Sequence, residues 1–245
     1  LEKVQNSAVK NRKVRQAINY GFDRKKMMKY LRNNIGTPAN EGFLPKGLPA
    51  FSPDSLEGYS YNPDKARELL REAGYPNGEG LQEITLTTTD DYRDLCEFIQ
   101  HQLSEIGIDI AIEISTGATF RDMVANSRLL FFRGSWIADY PDSENYLALF
   151  YSRNFSPGGP NYTHFSNPRY DSLYETALNT MDPSRRQNLY RQMNRMIIEH
   201  APIVPLYYDQ VVRFTHTHVK NLGSNPMNLL VLKHVKKTTN DTDSR

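Results

Sequence analysis

The stretch RGSWIADYPD, residues 133–142, carries the side chains best suited to chemistry in this chain. Arg133, the lone tryptophan Trp136, Asp139 and Tyr140 follow a largely apolar run that ends in LLFF. Open α/β sheets place their ligand sites at the ends of buried strands. Arg133 and Asp139 are six residues apart, so in a regular strand they would face the same way, at most about 20 Å from each other. A buried charge must be paired. Each of the two could pair with a protein neighbour. Alternatively, both could grip a zwitterion, its carboxylate toward the arginine and its ammonium toward the aspartate, with Trp136 as an apolar wall. Spacing alone does not choose between these.

Other chemistry finds less support. Of six histidines (His101, His164, His200, His216, His218 and His234), only His216 and His218 are close in sequence, two apart in an expected strand. They could chelate one ion, but a metal site needs a third ligand at known spacing, and neither His-Glu-x-x-His nor Cys-x-x-Cys is present. No metal and no cofactor is therefore assigned. No Gly-x-Ser-x-Gly frames Ser135, and no paired carboxylates can be placed on facing elements, so catalysis is unsupported. The segment SPGGPNYTHFSNP, residues 156–168, precedes a helix but matches neither the P-loop nor the dinucleotide pattern, and its prolines predict a stiff surface loop. The single cysteine, Cys96, excludes an internal disulfide; it falls on the apolar face of a helix, where an inert buried thiol is expected.

The elements that must position these residues are legible from their caps and periods. Asn62-Pro63, Asn167-Pro168 and Asp182-Pro183 each supply an N-cap side chain and a proline at the first helical position. Apolar residues then recur at helical spacing, as at Ala66, Leu69, Leu70 and Ala73, before Gly74 ends the first of these helices. Between the first two lie a strand at 84–89, a helix at 91–106 stopped by Gly107, a strand with Ile108, Ile110, Ile112 and Ile114 on one face, a short helix near 119–126, and LLFFRGSWI. Two successive crossovers of this kind imply a mostly parallel sheet. Two helices open the chain, and a loop rich in Gly and Pro runs from Gly36 to Pro53. The segments 203–222 and 228–235 read as short strands, and the polar tail as disordered. The basic runs KNRKVR and DRKKMMK read as solvated helix faces. With 30 basic and 28 acidic residues, the net charge of +2 calls for no nucleic acid. No run is long and apolar enough to span a bilayer. The chain opens close to helix, without a signal peptide, as if within something longer.

Taken in order, VRQAINYGFDRKKMM, YNPDKARELLREAGYPNG, IQHQLSEIGIDIAIE, GSWIADYPDSENYLALFYS, NPRYDSLYETA and RQNLYRQMNRMIIEHAPIVPLYY resemble successive signatures of one family. They are similar to the extracellular solute-binding proteins of ABC importers, in the dipeptide- and oligopeptide-binding group. The resemblance runs from about Val14 to Val235. It implies an α/β fold, one lobe of a type II periplasmic-binding-protein clamshell, with a mostly parallel central sheet and flanking helices. It implies non-catalytic capture of an extended peptide, for delivery to an ABC permease in the inner membrane, in the periplasm or on the outer face of the cytoplasmic membrane. Asp139 would hold the peptide's amino group and Arg133 its carboxylate. Trp136 and Tyr140 would line the cleft, and Asn161 and Tyr162 would lie in a loop forming a further wall.

Family members are about twice this length, with an N-terminal lobe before the VRQAI segment. The resemblance therefore implies the C-terminal ligand-binding lobe at 1–210, return strands toward the absent lobe at 211–236, and a disordered tail at 237–245. Any signal peptide or lipid anchor would belong to the missing half. Closure between two lobes buries the ligand, so a lone lobe is expected to bind weakly or not at all. Three alternatives remain at this level: a binder of the same fold for nickel chelates, haem or sugars, a metal-dependent hydrolase using His216 and His218, and a lobe that acts only as an interaction module.

Overall fold

Side-chain caps fix where most of the longer helices begin, and the caps read from sequence are in place. The computed structural model describes residues 7–51, 58–225 and 229–238. A short helix α1 (Ser7–Lys10) leads into α2 (Arg12–Tyr20), whose N-cap Asn11 accepts from the Lys13 N–H. Asp23 caps α3 (Arg24–Leu31), accepting from Lys25 and Lys26, and a two-residue strand β1 (Thr37–Pro38) follows. Asn62 caps α4 (Pro63–Glu72) through the Lys65 N–H, and Gly74 at φ +92° turns the chain away from it.

The alternating stretch folds as its periods predict. It contains β2 (Ile84–Thr88), α5 (Arg93–Ser104), β3 (Ile110–Ile114), α6 (Gly117–Ala125) and β4 (Phe131–Phe132). These three strands form one parallel sheet in the order β3-β2-β4, with Ile84 opposite Ile110 and Leu86 opposite Phe131. Parallel pairing needs long crossover connections, and α5 and α6 supply them here. The first core cluster fills the space between this sheet and α2, α3, α4 and α5, with Val14, Ile18, Phe22, Leu70, Ile84, Leu103 and Ile108 at its centre.

The second cluster is built by α7 (Glu144–Leu147), α8 (Pro168–Leu178) and α9 (Pro183–His200), around Phe150, Phe165, Tyr170, Met193 and Ile197. Asn167 caps α8 and Asp182 caps α9, as the Asn-Pro and Asp-Pro steps require. After α9, β5 (Tyr207–Tyr208) pairs antiparallel with β1.

Four sequence expectations are corrected. First, the basic runs are not uniformly solvated: Arg15 and Arg24 are buried, Arg24 at 1% exposure, while Arg12, Lys25 and Lys26 face solvent. Arg15 donates to the carbonyls of Val9, Lys10, His200 and Ala201, tying α2 to the C-terminal end of α9. Arg24 donates to the carbonyls of Asn19, Tyr59 and Pro205 and to Asn19 Oδ1, and its guanidinium carbon lies 4.3 Å from the Phe22 ring centroid. Burial draws its guanidinium down to about 9. Second, LLFFRGSWI yields only two paired residues, Phe131 and Phe132, at the edge of the sheet. Third, the C-terminal strands are far shorter than the apolar pattern suggests. Among the described residues they comprise β5 and one antiparallel pair, β6 (Val219–Lys220) with β7 (Lys236–Lys237). Fourth, the loop at 156–168 is not a plain surface loop, since Ser156, Asn161, His164 and Phe165 are buried. Of the polar tail, residues 239–245 lie outside the described residues.

Candidate functional site

Beyond β4 the chain stays extended and carries Arg133 across the C-terminal edge of the sheet. The Arg133 N–H continues the ladder by donating to the Thr87 carbonyl at 3.1 Å. Its guanidinium carbon sits 3.4 Å from the centroid of the Tyr92 ring, the aromatic that precedes α5. One guanidinium nitrogen donates to the Tyr207 hydroxyl at 3.3 Å, while Nε is buried without a hydrogen-bond partner. Tyr92 and Tyr207 hold the cation by its face and one edge, which orients it without neutralising it. Among the described residues, Arg133 makes no ion pair.

Arg133 opens onto a cleft of about 1570 Å³. The sheet edge and α5 form one wall, and the segment after α9 forms the other; Trp136, Tyr146 and Tyr162 also line it. The lining runs through residues 133–138 and stops one short of Asp139.

Asp139 and Trp136 are joined by a residue that sequence reasoning passed over. Asn145, buried on α7, accepts from the Trp136 indole N–H at 2.8 Å and from the Asp139 backbone N–H at 3.3 Å. Its own amide donates to Asp139 Oδ2 at 3.4 Å. The Tyr146 hydroxyl donates to the Trp136 carbonyl at 3.2 Å. The Asp139 side chain is exposed and, among the described residues, makes no ion pair either. Tyr140 turns away from the cleft and donates to Glu144, which also accepts from Tyr174 of α8. Burial, with the bond to Glu144, raises the Tyr140 phenol, and burial raises that of Tyr146, so both remain donors.

The structure therefore brings Arg133, Trp136 and Tyr162 to one cleft, sets Asp139 just past its lining and points Tyr140 elsewhere. Asn161 is fully engaged inside the protein. Its amide donates to the Tyr151 and Phe165 carbonyls, and its oxygen accepts from Thr163 and the Phe165 N–H. Its place is to shape the loop that presents Tyr162. Next to it His164 bonds Ser127 and Ser156 through Nε2, at 2.8 and 3.1 Å. His216 is exposed and His218 half-buried in the turn before β6, with their rings stacked at 5.2 Å, and among the described residues no three side chains are grouped to hold a metal ion. The signal for Asn145 was its position inside SENYL, one turn beyond the charged segment, but nothing in the spacing says which way an α7 side chain points.

Comparison with known proteins agrees with this architecture. Residues 3–157 match the middle region of the bacterial extracellular solute-binding proteins, family 5. The chain belongs to this family. The glutathione-binding protein GsiB of Shigella flexneri serotype 5b is 31% identical over 218 residues, covering 86% of this chain and 42% of the relative. The chain thus spans less than half the length of the curated relatives it matches. Among solved structures, the periplasmic binding protein DppA of Helicobacter pylori with the peptide STSA superposes with a TM-score of 0.77 at 27% identity, covering 84% of this chain and 40% of that one. The dipeptide-binding protein of Pseudoalteromonas sp. SM9913, in complex with Met-Leu, gives 0.76 at 28%, covering 93% and 45%. The fold expected from the sequence, the α/β architecture of type II periplasmic binding proteins, is the one shared with these structures. No helix among the described residues is long and apolar enough to cross a membrane.

Proposed function

We propose that this chain is the ligand-holding lobe of the substrate-binding component of an ABC importer for peptides, acting by capture and not by catalysis. The observation that carries the reading is that the two opposite charges of the RGSWIADY segment have no ionic partner among the described residues, while Arg133 lines a cleft whose lining runs to Ala138, the residue before Asp139. Charges that fold without internal neutralisation are available for a ligand that carries both signs. A peptide with free termini is such a ligand, its ammonium at Asp139, its carboxylate at Arg133 and its body against Trp136 and Tyr162. Glutathione, named for the Shigella relative, has the same ammonium and carboxylate chemistry, so it belongs to the set of ligands to test.

The domain reading follows the same line. Residues 1–210 form the ligand lobe, and 211–236 return toward a first lobe that closes over the cleft. The exposure of Val211, Val212, Phe214, Leu229, Leu230, Val231 and Leu232 supports this, since runs of exposed apolar residues in both segments call for a partner. The full protein would work in the periplasm or at the outer face of the membrane and hand its ligand to a permease.

The lone tryptophan makes the test direct. Trp136 fluorescence is followed during titration with Met-Leu, with glutathione and with a mixture of di- to pentapeptides, and the series is repeated for Asp139→Ala. A saturable change that disappears in the variant supports the reading. If no ligand produces a change, the experiment is repeated with the first lobe supplied, and silence from both lobes together rejects peptide capture.

A further inference from the structure

The geometry points to Asn145 as the positioning residue of the ligand site: one buried side chain sets Trp136 and Asp139 in a fixed relation, so that the apolar wall and the ammonium acceptor act together. This rests on the peptide reading of the cleft and adds to it a residue that does not line the cleft itself.

Asn145 is nearly inaccessible, at 6% exposure. Its carbonyl oxygen accepts both the Trp136 indole N–H (2.8 Å) and the Asp139 backbone N–H (3.3 Å), and its amide reaches Asp139 Oδ2 (3.4 Å). Two of the four chemical residues of the RGSWIADY segment, Trp136 and Asp139, therefore converge on one amide. The segment between Trp136 and Asp139 has no ladder of its own, because β4 ends at Phe132. Without a side-chain anchor, an extended stretch of this kind samples many geometries, and a site needs its groups held within fractions of an ångström. An asparagine suits the task because it offers an acceptor and a donor at once. An aspartate would keep the acceptor for the indole but bring a second carboxylate beside Asp139. A serine is too short to reach both partners. The backbone of the segment is secured separately, by Tyr146 donating to the Trp136 carbonyl, so loss of the Asn145 contacts need not unravel the loop.

The test has a ligand-free arm and a ligand arm. With a single tryptophan, a ¹⁵N-labelled sample gives one indole N–H resonance. Asn145→Ser is expected to move that resonance and speed its exchange with water, while Asn145→Asp returns it near the wild-type position. In the ligand arm, on this chain or with the first lobe supplied, Met-Leu is compared with N-acetyl-Met-Leu. Asn145→Ser is expected to weaken Met-Leu roughly tenfold, as losing alignment of a charge-assisted hydrogen bond does, and to leave the acetylated peptide nearly unchanged. An indole resonance that stays in place in Asn145→Ser overturns the inference, and so does an equal loss for both peptides, which would make Asn145 a general fold residue. If the wild type binds neither peptide with both lobes present, it is the peptide reading that fails, and the indole resonance still judges whether Asn145 sets Trp136.

Discussion

Arg24 offers a sharp quantitative test of the fold, because it stands among three consecutive basic residues of which it alone is buried. Arg24, Lys25 and Lys26 open α3, and the two lysines point to solvent. Arg24 instead donates to Pro205 O at 2.6 Å, Asn19 O at 2.8 Å, Tyr59 O at 3.2 Å and Asn19 Oδ1 at 3.1 Å. Arg24→Met keeps an apolar stem of similar reach but leaves those buried acceptors without their charged donor. Each unsatisfied buried acceptor costs about 1–3 kcal/mol, and losses within one network do not add fully, so the expected destabilisation is about 4 kcal/mol. For a chain of this size, that lowers the melting temperature by roughly 8–16 °C. Lys25→Ala and Lys26→Ala serve as controls, expected to change stability by less than about 0.5 kcal/mol. Urea and thermal unfolding followed by circular dichroism measure all three. The effect should also reach the candidate site, since Pro205 lies two residues before Tyr207, whose hydroxyl accepts from Arg133. A loss below about 1 kcal/mol for Arg24→Met, or a loss no larger than for the lysine controls, refutes the assignment of Arg24 as the tie between α3 and the segment after α9.

Three further outcomes follow from burial and backbone geometry. Burial raises the phenols of Tyr59 (to about 12), Tyr170, Tyr174, Tyr190 and Tyr208, so the stability they carry is complete below pH 10 and is lost as the pH climbs through their folded values. Arg24, drawn down to about 9, and Arg15, also lowered by burial, work the opposite way above that pH, but two guanidinia are set against five phenols. Tyrosinate absorbance should thus rise in two stages, the second coinciding with unfolding; a single stage near pH 10 with the fold intact contradicts the burial. Cys96, 1% exposed and with its thiol raised by burial, should react with a thiol reagent only at the rate of unfolding, and prompt stoichiometric labelling of native protein would count against its placement. Gly107 sits at φ +85° with room for a Cβ only 2.1 Å from the Asn77 carbonyl oxygen, whereas Gly74, at φ +92°, has open space. Gly107→Ala should cost well over about 2 kcal/mol and Gly74→Ala only about 1 kcal/mol, measured by the same unfolding curves; equal costs would mean the close approach at Gly107 is absent.

Local signals were legible wherever the physics is local. An Asn-Pro or Asp-Pro step needs only its own helix to act as a cap, so α4, α8 and α9 begin where the sequence says. The alternation of strand and helix from Ile84 onward likewise carries its own hydrophobic period, and with it the parallel sheet. The segment RGSWIADYPD announced itself by residue type alone, because Arg, Trp and Asp after an apolar run are unusual enough to ask for a reason.

What the sequence could not say depends on partners distant along the chain. Arg24 and Lys25 are adjacent and equally basic, yet one is buried because Pro205, 181 positions away, brings it a carbonyl. Of the apolar run LLFFRGSWI, only Phe131 and Phe132 pair with β2, a length the run itself does not foretell. Between a protein neighbour and a ligand as partners for Arg133 and Asp139, spacing was silent. The tertiary structure answered with Tyr92 and Tyr207 around one charge and Asn145 beside the other, neutral groups that orient a charge but cannot neutralise it. The sequence by itself determined the caps, the periods and the family they resemble. Which charges are buried, which stay unpaired, and which neighbours lie beside them were decided only when distant segments packed, because burial and pairing are properties of surroundings that no single stretch of chain contains.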